Sequence, residues 1–227
     1  MTKTKKQKLI KISAQYLREV IVVVIGVFIA FQLNNYSEYN KDIKDERNSL
    51  KRILTDLHTE KNWLEKEKKV FKKKRNVLKN IIYNNNKNSL DSLYLYSAYQ
   101  YVHYNFGTEF STLKFSGKLN LIKNDSLRYY LVNYYELSYS LYETLEEEHR
   151  AFVRNDLVTY LDKIAEVDTL YLYNSKIIEE KLSDKKLNKL LKEQILYYDL
   201  LIHKIKIHRL ERLIKLINTN LKTIGND

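Results

Sequence analysis

The stretch QYLREVIVVVIGVFIAFQLNNYSEYN, residues 15–40, decides how the rest of the chain is read. Val20 to Phe31 is an unbroken apolar run, and extending it to Tyr16 and Leu33 gives eighteen residues. As a helix that length is about 27 Å, against a bilayer core of about 30 Å. Arg18 and Glu19 stand at one edge, where a long side chain snorkels to the headgroups. Gln32, Asn34 and Asn35 mark the other edge, and Tyr16, Tyr36 and Tyr39 flank the span as an interfacial aromatic belt does. A cleaved signal peptide would want small residues at positions −3 and −1; cutting after Ala30 puts Phe28 at −3. A buried core helix is the second competitor for so short a run, but residues 20–29 carry no polar face at all. An interfacial helix would need such a face. The reading is an uncleaved transmembrane anchor over residues 16–34. Glu19 at its edge reads as an interfacial carboxylate beside Arg18 or a lysine rather than a buried functional group. Gly26 and Ala30 form a small-xxx-small pair that permits helix–helix approach.

Outward from the anchor, charge sets the orientation. Lys3, Lys5, Lys6, Lys8 and Lys11 precede it, and only Lys41, Lys44 and Arg47 follow within residues 34–50. The bias places the N-terminus in the cytoplasm and the long C-terminal part outside.

The composition agrees with helices. The chain has 227 residues, no Cys, no Pro and 4 Gly, where an average chain would hold roughly 11 Pro and 16 Gly. A disulfide scaffold, a cysteine nucleophile, a thiolate zinc site and an iron–sulfur cluster are excluded. Few breaker residues mean long uninterrupted helices. Tyrosine is abundant, at 20 residues; AT-rich coding bias explains it together with Asn, Lys and Ile, and a ligand-stacking surface is the competing reading. The net charge of +12 concentrates in two patches, residues 1–18 (+6) and 61–79 (+7), on a body that sums to −1.

After the anchor, Ile43, Leu50, Ile53, Leu54, Leu57, Leu64, Phe71, Leu78 and Ile82 recur at three-, four- and seven-residue spacing, an amphipathic stalk helix over 35–83. NNNKN at 84–88 ends it. Asp91 is a candidate cap for a short helix over LYLY, where alternation also fits a strand. TEFSTLKFSG reads as a short helix closed by Gly117. Asp125 or Ser126 starts a long helix lined by Leu127, Leu131, Tyr134, Leu141, Leu145, Phe152, Leu157, Leu161 and Ile164. DTLYLYN breaks the chain, and Ser183 caps one last helix reaching Leu221. The fold class is all-α: an N-terminal transmembrane helix that continues into a long helix packing in an extracytoplasmic helical bundle. The expected divisions are a basic cytoplasmic tail 1–15, the anchor 16–34, the stalk 35–83, and a bundle domain 84–227 that the stalk completes.

Motifs for chemistry fail on spacing. SGKLN at 116–120 lacks the Gly and the Ser or Thr of a phosphate loop, having Thr112 and Leu119 in those places. Glu146 and His149 make a single Glu-x-x-His, where a di-iron bundle needs two. His203 and His208, five apart, do not share a helix face. No catalytic residue, metal ligand or cofactor site is assigned, and the chain reads as a non-enzyme. The lysines of 61–79 read as a solvated face; a straight stalk carries them about 50 Å from the bilayer, many Debye lengths of about 8 Å away, and with the N-terminus in the cytoplasm the patch meets no nucleic acid.

REVIVVVIGVFIAFQLNNYSEYN resembles the opening of an uncharacterised family of bacterial membrane proteins, a domain of unknown function, whose pattern is G-E-I-x-L-V-V-I-G-I-x-I-A-L-Q-I-N-N-W-N-E. Glu19, Val23, Ile25, Gly26, Ala30, Gln32, Asn34, Asn35 and Glu38 match; Arg18, Tyr36 and Ser37 depart from it. FSTLKFSGKLNLIKNDSLRYYLVNYY, residues 110–135, resembles the middle motif of that family through Phe110, Ser116, Gly117, Leu119, Ile122, Asn124, Leu127, Arg128, Tyr134 and Tyr135. The two motifs cover about a quarter of the chain. The resemblance implies a bacterial single-pass membrane protein and no chemistry. The anchor residues of interest are Glu19, Gly26, Ala30, Gln32, Asn34 and Asn35. The candidate interaction motif is Phe110, Gly117, Asn124, Arg128, Tyr134 and Tyr135, with a structural corner joining two helices as its plainer reading. The expected work is that of a membrane-anchored scaffold or interaction module, with a homo-oligomer or another envelope protein as partner. A ligand sensor acting with a separate signalling subunit is the alternative.

Overall fold

In the computed structural model the described residues are 3–84, 93–102, 104–166, 176–177, 179–205 and 207–224. Helix α1 runs without interruption over Lys3–Asn84, 82 residues and about 120 Å, so anchor and stalk are one rod. Gly26 is the only glycine within it. From Tyr16 to Tyr39 every residue of the rod is exposed. Burial begins at Glu46 and then follows a heptad: Leu50, Leu57, Leu64, Phe71 and Leu78 are all fully buried. The offset positions of the same seam hold Glu46, Ile53, Glu60, Glu67, Lys74 and Ile81. Four of those six are charged, which the periodicity of the leucines conceals. The strict seven-residue repeat also selects Ile81 for the core and leaves Ile82 half-buried.

Short helices α2 (Leu93–Ser97) and α3 (Thr108–Phe115) flank α1. Gly117 ends α3 with φ +70, and Lys118 N–H reaches Leu113 O (2.8 Å) while Gly117 N–H reaches Lys114 O (3.1 Å). That paired closure needs a left-handed residue, so glycine is the low-strain choice. Gly107 stands at the N-cap of α3. A Cβ there would lie 2.6 Å from Tyr135 Cε1.

A second rod covers 125–164: α4 (Asp125–Val132), a π-helical segment Asn133–Ser138, α5 (Tyr139–Phe152), a second π segment Val153–Val158, and α6 (Thr159–Ile164). It starts at Asp125, one of the two expected positions, and its cap is Asn124, whose side chain accepts from Leu127 N–H (3.0 Å). Each π segment adds a residue to a turn and rotates the helix beyond it. Leu141, expected on the buried stripe, is therefore exposed, and Tyr142 takes its place in the core.

The last helix is two. Asp184, not Ser183, caps α7 (Lys185–Lys204), accepting from Lys186 and Leu187 N–H. The backbone turns extended at Ile205 (φ −68, ψ 90) before α8 (Ile207–Thr223). Lys68 Nζ donates to Ile205 O (3.1 Å) and Tyr142 hydroxyl donates to Lys204 O (3.1 Å). Donors from two other rods satisfy carbonyls that a continuous helix would have bonded internally.

Cross-rod pairs give the directions. Glu46 accepts from Lys123 N–H and Glu60 from Tyr134 hydroxyl, so 125–164 runs parallel to α1. Asp199 meets Arg75 while Glu211 meets Lys61, so α7 and α8 run antiparallel to it. Among the described residues the protein is all-α but for a two-residue antiparallel pair, β1 (Ala165–Glu166) with β2 (Lys176–Ile177). Asp91 and the 168–174 break lie outside the described residues.

Candidate functional site

Three arrangements of polar side chains stand out against this apolar frame. The first surrounds the charged offset positions of α1. Glu60 is fully buried. Tyr134 hydroxyl donates to its Oε1 (2.7 Å), Tyr139 hydroxyl lies beside the same carboxyl, and Oε2 has no hydrogen-bond partner. Burial pushes this carboxyl up to about 7, against the smaller opposing effect of the tyrosine hydroxyls. Tyr135 stacks on Phe110 (4.6 Å between centroids) with its hydroxyl buried and unbonded. One heptad on, Tyr99 hydroxyl donates to Glu67 (2.9 Å). A further heptad on, buried Lys74 sits 4.0 Å above the Tyr99 ring, and desolvation lowers its ammonium to about 8. Tyrosine is how this core accepts charge: the ring fills space and the hydroxyl meets the ion.

The second is built on His149, which is fully buried. Tyr101 N–H donates to its Nδ1 (3.3 Å), which makes Nε2 the protonated nitrogen facing Gln194 Oε1 (3.0 Å). Gln194 Nε2 donates in turn to Ser97 O (2.7 Å) and Tyr198 hydroxyl (2.9 Å), and Tyr198 donates to Tyr96 O (2.5 Å). Desolvation holds the imidazole down at about 4. The network ties the end of α2 and the irregular residues after it to α5 and α7. Its components are each hydrogen-bonded, so it offers stability rather than chemistry.

The third is a cleft of about 210 Å³ between the π segment Asn133–Ser138 and α8. Tyr130, Asn133, Tyr134, Leu137, Ser138, Arg209, Arg212, Leu213 and Leu216 line it. Arg212 donates to Tyr130 hydroxyl (3.0 Å) and stacks over that ring at 4.8 Å. Sequence reasoning did not single out Arg209 or Arg212: nothing in HRLERLIK distinguishes them from solvated charges. Their i, i+3 spacing puts both on one side of the helix, as it does for many solvated pairs.

The anchor residues Glu19, Gly26, Ala30, Gln32, Asn34 and Asn35 all fall on the exposed part of α1. A Cβ at Gly26 would meet nothing within 4 Å, and Asn34 Nδ2 donates to Glu38 Oε1 (3.1 Å). The interaction motif folds inward. Phe110, Tyr134 and Tyr135 are buried. Gly117 makes the turn, Asn124 caps α4 and donates to Asn220 Oδ1 (3.1 Å), and Arg128 donates to Ile122 O (2.8 Å) and pairs with Asp125. Its residues build a corner where α3, α4 and α8 meet α1.

The basic patch differs from its reading as a solvated face. Lys66, Lys69, Lys72 and Lys73 are exposed. Lys61 pairs with Glu211 (3.0 Å), Lys68 holds the α7 break, and Arg75 (2.7 Å) and Lys79 (3.2 Å) share Asp199. Half of the patch is the seam that docks α7 and α8. The break also brings His203 and His208 to the wall of one shallow cleft with Asp199, where a straight helix would have separated them. The described residues contain no group of three or more His, Cys, Asp or Glu placed to hold a metal.

No known family, characterised protein or solved structure matches the chain. The residues themselves carry the functional argument.

Proposed function

We propose that this is a single-pass protein of the bacterial inner membrane. In this reading its N-terminus is cytoplasmic and its helical bundle stands in the periplasm as a non-enzymatic scaffold or protein-interaction module. The family resemblance of the two motifs points the same way. The observation that carries the reading is the single rod α1. One helix holds a segment long and apolar enough to cross a membrane, wholly exposed, and its later turns carry the buried heptad on which the rest of the body packs. A water-soluble protein exposing that much contiguous apolar surface would associate or aggregate; a bilayer covers it. A second copy or another envelope protein is the proposed partner of the body, and exposed Phe115 and Tyr129 are apolar contact points available to it.

The absence of native cysteine makes the test direct. A single Cys at exposed Asn218 and, separately, one at Thr4 are labelled in intact cells with a membrane-impermeant thiol reagent that passes the outer membrane, with lysed cells as control. Labelling at 218 and protection at 4 is the expected result. Labelling at 4 alone inverts the topology and overturns the periplasmic reading.

A second reading, a ligand-binding ectodomain working with a separate signalling subunit, is favoured by the cleft beside Asn133–Ser138.

A further inference from the structure

We propose that the cleft between the 133–138 segment and α8 binds a small amphipathic carboxylate, its head held by Arg209 and Arg212 and its hydrocarbon tail laid on Leu137, Leu213 and Leu216. The inference deepens the ligand-binding reading and does not depend on which way the chain crosses the membrane.

Charge comes first. Arg52, Arg75, Arg128 and Arg150 each hold a carboxylate of this chain. Arg209 and Arg212 hold none among the described residues, although both line a concave surface. Three residues apart on α8, they present two guanidinium groups on one side of the helix. Arg212 is already oriented by its stack on Tyr130 and its bond to that hydroxyl. One such contact leaves most of its five N–H donors free. Planar forks of this kind match a carboxylate two bonds at a time.

Beneath the arginines the surface turns apolar. Leu213 is buried, Leu216 is half-buried and Leu137 is 54% exposed. A leucine so exposed, inside a cleft and beside these two cations, suits a ligand with a charged end and a greasy end. An inorganic phosphate would leave the leucines uncovered. The volume of about 210 Å³ is that of about seven water molecules, so a chain of similar atom count fills it. A partner helix would need a longer groove.

The backbone supports a built site. The π segment supplies Asn133, Tyr134, Leu137 and Ser138 to the lining. Such segments are rare and occur often at functional sites. Here the added residue turns Leu137 toward the cleft that α8 closes.

The test uses the full-length protein in lipid nanodiscs and isothermal titration with sodium octanoate, empty nanodiscs serving as the blank. Octanol and octylammonium supply the same tail with a neutral or positive head. Octanoate binding above the blank is expected, with octanol and octylammonium at least about tenfold weaker, because neither supplies the charged acceptor for the arginine forks. The R209Q/R212Q double variant is expected to lose at least about tenfold for octanoate with an unchanged melting curve. R209K/R212K keeps the charge without the fork, and falls between the two. Octanoate bound no better than octanol, or unaffected by R209Q/R212Q, overturns the proposal and leaves an unspecific crevice. No octanoate binding overturns it as well, and leaves the cleft to a protein partner. Failure of the thiol-labelling test would leave these titrations as they stand.

Discussion

Glu60→Gln is expected to stabilise the protein above neutral pH, although it removes a buried charged group and touches nothing on the surface. The folded carboxyl titrates near 7, where an unburied glutamate titrates near 4.5, because desolvation penalises the ion more than the Tyr134 and Tyr139 hydroxyls favour it. The folded state therefore keeps the Glu60 proton in a range where the unfolded chain has released it. The associated stability is fully present below about pH 4.5 and is lost as pH rises through 7. A difference of that size corresponds to about 3 kcal/mol between the two ends of the window. In a body of this length that is roughly 6–12 °C in melting temperature. Glutamine has the shape of the protonated acid and accepts from Tyr134 without ionising. The variant should match the parent near pH 4.5 and exceed it progressively to pH 8.

Thermal unfolding followed by circular dichroism, parent and variant side by side at half-unit pH steps, isolates the effect. His149 titrates in both proteins and cancels in the difference. A difference curve that stays flat from pH 4.5 to 8 refutes the reasoning, since it would mean that Glu60 is hydrated and ionised in the fold. Glu60→Leu is the companion variant. It leaves Tyr134 hydroxyl without its acceptor and should be less stable than Glu60→Gln at every pH, by about 1–3 kcal/mol.

His149 runs the opposite way. Its folded imidazole is held near 4 by burial, so stability is lost as pH falls from about 6.5 toward 4, by about 3 kcal/mol in all; imidazole nitrogen resonances that protonate near pH 6.5 would refute this. Gly107→Ala drives a Cβ to 2.6 Å from the Tyr135 ring and should cost about 1–3 kcal/mol. Gly117→Ala has open space but φ +70, and should cost about 1–2 kcal/mol by backbone conformation alone. Melting curves of the two variants separate steric from torsional causes, and equal stability to the parent in either case would discard the corresponding argument.

The sequence by itself determined whatever is written in neighbouring residues. The apolar run 16–33, the seven-residue leucine repeat of α1, the left-handed closure at Gly117 and the helical class each rest on spacings of a few positions. A propensity or a periodicity acts over that range. The rest was decided by partners far away in the chain. HKIKIH contains no glycine or proline, yet the helix ends there because Lys68, 137 residues from Ile205, and Tyr142, 62 from Lys204, take its carbonyls. Leu141 fits an unbroken helical stripe, and the π segment before it turns the rod so that it faces away from the core. Glu60 reads as a solvated charge until Tyr134, 74 residues on, covers it. Arg209 and Arg212 become a site only where α8 lies across from Leu137. Local preferences fix which segments are helices. Ends, registers and the burial of charge depend on donors and acceptors that only the packed fold brings within hydrogen-bonding distance.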